Sequence, residues 1–173
     1  MAKIIYKEGH EGQNKLSDIK GIEIELLNGQ KALIYPKYAE RQMLTLAQKS
    51  RWDAAKETEV EALKVKDNSD KTKVLLNLRS PAAEWVSQFN SDNSVIFYLP
   101  SLVSALEIYY QKAEIDTLAE TIEGADLLKC YNTMIWSCSR KYKDEGWCVL
   151  GDYGYTDGCL LTFPLLVVPT MIC

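Results

Sequence analysis

The sequence predicts an α+β protein in which two main helical segments pack beside small, mostly antiparallel sheets. Three observations carry this expectation. GIEIELLNGQKALIYP near the start reads as a β-hairpin, and the middle of the chain places apolar residues at helical spacing. From Met134 to Cys173 short apolar pieces alternate with Gly-rich turns.

With 173 residues, one domain with a substantial core is expected, assigned to residues 20–173 behind a polar tail at 1–19. The apolar fraction of 47% and charged fraction of 25% are ordinary for a globular chain. A net charge of −4 and a pI near 5.1 argue against nucleic-acid or anionic-membrane partners, which call for a basic face. No apolar run approaches the roughly 20 residues of a membrane span, so no membrane insertion is expected. MAKIIYKEGHEG has no apolar stretch of the signal-peptide kind, so the expected location is the cytoplasm or a virion assembled there. The five cysteines (130, 138, 148, 159 and 173) are odd in number and contain no CxxC. They read as reduced, small apolar residues.

In the hairpin, Asn28-Gly29 suits a two-residue type I′ turn, which pairs Leu26 with Lys31, Ile24 with Leu33 and Ile22 with Tyr35. A helix is expected over Thr45 to Leu63, with Trp52, Ala55, Val60 and Leu63 on one face, followed by an exposed loop, KVKDNSDKTK. Ser80-Pro81 supplies an N-cap and a first-turn proline for a short helix that buries Trp85 and Phe89. VIFYL at 95–99 reads as a buried strand stopped by Pro100. Ser101 caps a long helix or helix pair through Leu102, Ala105, Leu106, Tyr109 and Ala113, then Ile115, Leu118, Ala119 and Ile122, ended by Gly124.

Within 134–173, Ile135, Trp136, Trp147, Val149 and 165–168 are apolar fixed points, and both tryptophans read as core. Between them stand Tyr, Asp, Gly, Thr and Cys residues that a core does not require, a composition shared with binding paratopes.

LPSL at 99–102 entering a helix, IWSCSR at 135–140, GWCVLGDYG at 146–154 and VVP at 167–169 form an ordered set of landmarks. In order and spacing they resemble the C-type-lectin-like domains of variable proteins diversified by retroelements in phages and gut bacteria. That wider fold is shared with the formylglycine-generating enzymes and the C-terminal domain of Legionella collagen-like adhesins. The resemblance covers about residues 20–173 and is best from Leu99 onward. It implies a C-type-lectin-like fold with adjoining N- and C-terminal strands, and a terminal surface that binds a protein or glycan ligand. It further implies that the variable positions are reachable from adenine-containing codons. Tyr142, Asp144, Cys148, Leu150, Asp152, Tyr153, Tyr155, Thr156, Asp157, Cys159, Leu161 and Thr162 belong to that set and are the expected ligand-binding residues. Two features depart from the pattern: Ser104 stands where the LPSL helix usually carries Glu, and Lys141, Lys143 and Glu145 are not reachable from AAC.

Catalysis is not expected, nor is a cofactor. The one histidine, His10, lies far from the C-terminal third, which leaves Ser-His-Asp and Cys-His chemistry without a base. Asp152 and Asp157 flank Gly-rich turns, but GDYGYTDG lacks the alternating oxygen ligands of a calcium loop, and turn formation explains both. Glu114, Asp116, Glu120 and Glu123 read as a solvated helix side. Two alternatives to display stand beside it. One is a structural virion component such as a tail or baseplate part. The other is a cysteine-dependent formylglycine-type oxidase, should the strands gather Cys138, Cys148 and Cys159.

Overall fold

The computed structural model describes residues 1–42, 69–77, 79–90, 95–130, 134–141, 145–150, 154–160 and 162–172. The helix expected over Thr45 to Leu63 lies outside these. The described chain is α+β. Strands β1 (Lys3–Tyr6), β2 (Ile19–Glu25), β3 (Lys31–Ile34) and β9 (Thr170–Ile172) form one sheet in the order β1-β2-β3-β9. Strands β4 (Ala39–Gln42), β8 (Leu165–Val167), β5 (Ile135–Arg140), β6 (Glu145–Val149) and β7 (Thr156–Leu160) form the second, in that order. Every pairing is antiparallel except β5 with β8. Helices α1 (Ser69–Asn77), α2 (Pro81–Ser87), α3 (Leu102–Tyr110) and α4 (Lys112–Ala119) separate the N-terminal strands from the C-terminal ones. No described helix is long and apolar enough to cross a membrane.

Strands β5 and β8 of the second sheet are buried on both faces, and this divides the interior in two. Ile135, Val149 and Leu166 face a core shared with Ile22, Ile24 and Ile34 of the first sheet and Leu102, Ala105, Ile108 and Ile115 of α3 and α4. Trp136, Cys138, Leu165 and Val167, one residue out of step, face a second core with Leu75, Ala82, Ala83, Val86, Phe97 and Leu99. The period-2 alternation of strand side chains thus serves two cores at once, which is why β8 reads as an unbroken apolar run.

The hairpin forms, but one residue out of the expected register. Glu25 pairs with Lys31, Ile24 with Ala32 and Ile22 with Ile34. The loop holds three residues, closed by Gly29 N–H to Leu26 O and Leu26 N–H to Gln30 O, and Gly29 alone takes a positive φ of 78°. This is a type I turn with a bulged glycine. The type I′ register would have turned Lys31 toward the core and Ile34 away from it. The observed one buries Ile22, Ile24, Ala32 and Ile34 completely and leaves Lys31 outside, 3.0 Å from Glu23. Each buried isoleucine contributes about 1.5–3 kcal/mol, more than turn types differ by, so packing sets the register.

The polar tail assigned to 1–19 is instead part of the domain. Lys3–Tyr6 adds an edge strand to β2, and the Ala2 amide donates to Glu114 Oε1 at 2.7 Å. Asn14 O accepts from Glu123 N, and Ile19 is fully buried. KIIY, at four residues, is too short to show a strand period in the sequence.

Three further expectations change. Helix α1 begins inside the segment read as an exposed loop, because Thr72 within that segment and Leu75 just beyond it supply a buried side; Thr72 Oγ1 accepts from Leu99 N. Helix α2 is capped as expected, with Ser80 Oγ accepting from Ala83 N at 3.2 Å, but it buries Ala82, Ala83 and Val86. Trp85 and Phe89 lie half-buried on its flank in an edge-on pair. VIFYL is not a strand. It runs beside β9 through one bridge, Tyr98 to Thr170, and Asn90 satisfies both backbone groups of Phe97.

The LPSL turn is as expected: Ser101 Oγ accepts from Ser104 N at 3.0 Å, and the helical stretch breaks at Gln111 into α3 and α4. Asp116 is not solvated, as the sequence suggested, but buried. It accepts from the amides of Leu128 and Lys129 at 2.6 and 2.8 Å, anchoring the turn that leads to β5.

Candidate ligand-binding face

Strand β7 is the outer edge of the five-stranded sheet, hydrogen-bonded on one side only to β6. Their register sets Cys148 opposite Asp157, Val149 opposite Thr156, Trp147 opposite Gly158 and Gly146 opposite Cys159. This hairpin collects seven of the twelve expected binding residues or their neighbours. Tyr142, Asp144, Asp152, Tyr153 and Leu161 lie outside the described residues.

The seven divide by burial. Tyr155 and Asp157 are exposed, Thr156 and Thr162 are half-exposed, and Leu150 is half-buried against the second core. Cys148 and Cys159 are corrected: both point inward, at 0% and 6% exposure, and join the core beside Trp136. The strand period decides this. Cys148 is the cross-strand partner of Trp136, so the two share the buried face. Codon accessibility carries no information about which way a strand residue points.

Toward the open end of the hairpin, Lys141 Nζ reaches Asp157 Oδ1 at 2.8 Å and lies 4.7 Å from the centre of the Trp147 ring. Gly158 makes this path possible, because a Cβ there would stand 2.5 Å from both Lys141 Cδ and Glu145 Oε2. Asp157 Oδ1 also accepts from the Gly158 amide at 2.7 Å. The Lys141 hydrogen bond, then the amide, hold the Asp157 carboxyl below the ordinary aspartate range. Asp157 is therefore engaged in an ion pair. Among the described residues no group of three His, Cys, Asp or Glu side chains is placed to hold a metal. Trp147, expected in the core, is half-buried beneath Lys141.

At the other end, the loop re-enters β7 through Gly154, whose amide donates to Leu150 O while Tyr155 O accepts from Leu150 N. Gly154 has φ 66°, and a Cβ there would lie 2.4 Å from Tyr109 Cε1. Tyr110 Oη donates to Gly154 O at 2.8 Å, and the Tyr109 and Tyr110 rings meet edge-on at 5.6 Å, with Lys112 Nζ 4.3 Å over Tyr109. Helix α3 thus carries an aromatic support for the loop that the sequence reading missed. Tyr110 is 68% exposed, Tyr155 54% and Phe163 51%. The signal for Tyr110 was present: next to Tyr109 on a helix, it turns about 100° off the buried stripe.

Within the sulfur-lined interior, Cys148 Sγ and Cys159 Sγ are 2.7 Å apart, with Met134 Sδ 3.3 Å from Cys159 and 3.9 Å from Cys148. Their mutual hydrogen bond pushes the Cys148 thiol up and holds the Cys159 thiol below the ordinary range.

Compared with protein-family models, curated proteins and solved structures, the chain matches none of them.

Proposed function

We propose that this chain is a non-enzymatic binding protein. On a C-type-lectin-like scaffold it presents a face built from residues 140–163, joined by Tyr110, to a protein or glycan on another cell or particle. The observation that carries this reading is the exposure of Tyr110, Tyr155 and Phe163 around a hairpin whose inner side is wholly committed to core. Large aromatic side chains lose little rotamer entropy on binding and supply most interface energy. Cytoplasmic synthesis with delivery on a virion fits this role.

The Cys148–Cys159 pair favours a second reading, cysteine-dependent oxidation. Burial speaks against it, since oxidising a substrate chain requires a segment of that chain to be held against the reacting sulfur, and only the 6% exposure of Cys159 reaches the surface.

The test is a screen of the wild-type chain against glycan arrays and displayed cell-surface proteins, repeated with Tyr155→Ser combined with Phe163→Ser. Both substitutions are at exposed sites, where stability shifts stay within about 0.5 kcal/mol. Loss of roughly tenfold or more in affinity at unchanged melting temperature is expected. Equal binding by the double variant would move the interface elsewhere. A wild-type chain that binds nothing and runs only as a large assembly would favour the virion-component role.

A further inference from the structure

We propose that Cys148 and Cys159 form an oxidative modification site, a dithiol that exchanges with a low-molecular-weight disulfide to give an intramolecular staple between β6 and β7. The inference goes beyond the binding reading and does not depend on it.

Two thiol sulfurs 2.7 Å apart are within one ångström of the S–S bond length of about 2.05 Å, so closure asks the sulfurs to approach by less than an ångström. The strands are already fixed by continuous pairing on both sides of the two residues. The surroundings are chemically suited to a neutral disulfide: Met134 Sδ, Trp136 and Leu165 belong to the same apolar region. Cys159 lies on the edge strand and keeps a little exposure, whereas Cys148 lies one strand deeper with none. This ordering assigns the roles. Cys159 is the thiol that a small disulfide meets first, and its hydrogen bond with Cys148 holds it below the ordinary thiol range, which favours the thiolate that acts as nucleophile in exchange.

The chemistry balances in two displacements. Cys159 Sγ attacks one sulfur of the small disulfide, forming a mixed disulfide and releasing one small thiolate, which takes a proton from solvent. Cys148 Sγ then attacks Cys159 Sγ, giving up its own proton. The Cys148–Cys159 bond forms and the bond to the small thiol breaks, releasing a second thiol. The protein pair is oxidised by two electrons and the small disulfide is reduced to two thiols. The staple closes the segment 149–158, which holds Tyr155 and Asp157, so oxidation restrains the loop that carries the exposed side chains.

The experiment incubates the native chain with oxidised glutathione and maps the products by mass spectrometry after chymotrypsin, which cuts at Tyr153 and Tyr155 between the two cysteines. The expected product is a Cys148–Cys159 cross-link with the loss of two hydrogen atoms, reversed by a reducing thiol, and slower amide exchange at Tyr155. Cys148→Ser stops at a glutathione adduct on Cys159, and Cys159→Ser gives no adduct on Cys148. Alanine versions of both repeat the assignment, with melting curves to establish folding. The proposal is overturned if the folded wild type retains both thiols while the unfolded chain oxidises. It is equally overturned if the cross-link joins Cys138 to either residue, or if the adduct in the Cys148 variants forms elsewhere than Cys159.

Discussion

Lys141 and Asp157 form a 2.8 Å ion pair that crosses the bare backbone of Gly158, with the lysine lying over the Trp147 ring. The pair ties the start of the β5–β6 connection to the edge strand, and it holds the Asp157 carboxyl down. The sign follows from linkage. A group whose pKa is lower folded than unfolded adds stability above its unfolded value, and loses that contribution as pH falls through the folded value. In carboxyl-detected NMR, Asp157 should titrate below the usual aspartate value of about 3.9, and Lys141→Met should raise it toward that value. The acid limb of the stability curve should flatten correspondingly in the variant. An unmoved Asp157 titration would mean that the amide of Gly158, not Lys141, sets it.

The two tryptophans differ in a way that their sequence contexts conceal. Trp136 is fully buried, and Trp136→Ala should cost about 3–5 kcal/mol in urea unfolding from lost transfer energy and a residual cavity. Trp147 is half-buried with one ring face under Lys141. Trp147→Ala should cost only about 1–2 kcal/mol, from partial burial and the cation–π contact. Equal losses would place Trp147 in the core after all.

How far the sequence was legible depended on whether local signals could act alone. The Ser80 and Ser101 caps were readable because capping is a contest among four consecutive residues. Periodicity gave the helical stretch after Ser101 as a long helix or a helix pair, and the structure has the pair, broken at Gln111. The hairpin was readable in kind but not in register, because register is decided by which face meets a core assembled from α3 and α4. The same limit applied to the site. Asp157 and Tyr155 were placed correctly on the surface, while Cys148 and Cys159 turned inward, since a strand's alternation can be phased only once its partners are known. The exposure of Tyr110 is legible from its place on the helix, but its contact with the loop is not, because 44 positions separate it from Gly154, the residue whose carbonyl it holds.

The hairpin loop gives a direct discrimination between turn types. A type I′ turn needs positive φ at both Asn28 and Gly29, whereas the three-residue loop needs it at Gly29 alone. Gly29→Ala should therefore cost about 1–2 kcal/mol, the penalty of a left-handed L-residue. Asn28→Ala should cost about 0.5 kcal/mol, from loss of the hydrogen bond its Oδ1 accepts from Gln30 N. Chemical denaturation of the two variants checks this. A D-alanine at position 29 should restore the wild-type midpoint, because it favours positive φ.

The most demanding prediction concerns Gly154 and Tyr109, where the exposed loop rests on the helix. Two separable constraints act on Gly154: its φ of 66°, and the Tyr109 ring that a Cβ would overlap at 2.4 Å. Gly154→Ala should lose about 1–2 kcal/mol from backbone conformation alone, with a further steric loss that depends on the ring. Tyr109→Ala should lose its packing against the first core and its cation–π contact with Lys112. In the double variant the overlap is gone but the backbone penalty stays. The combined loss should then be smaller than the sum of the single losses by about 0.5–3 kcal/mol, the range for residues in contact. A double-mutant cycle by thermal or urea unfolding measures that difference. Strict additivity would show that the loop at Gly154 does not rest on Tyr109, and would remove the structural basis for including helix α3 in the binding face.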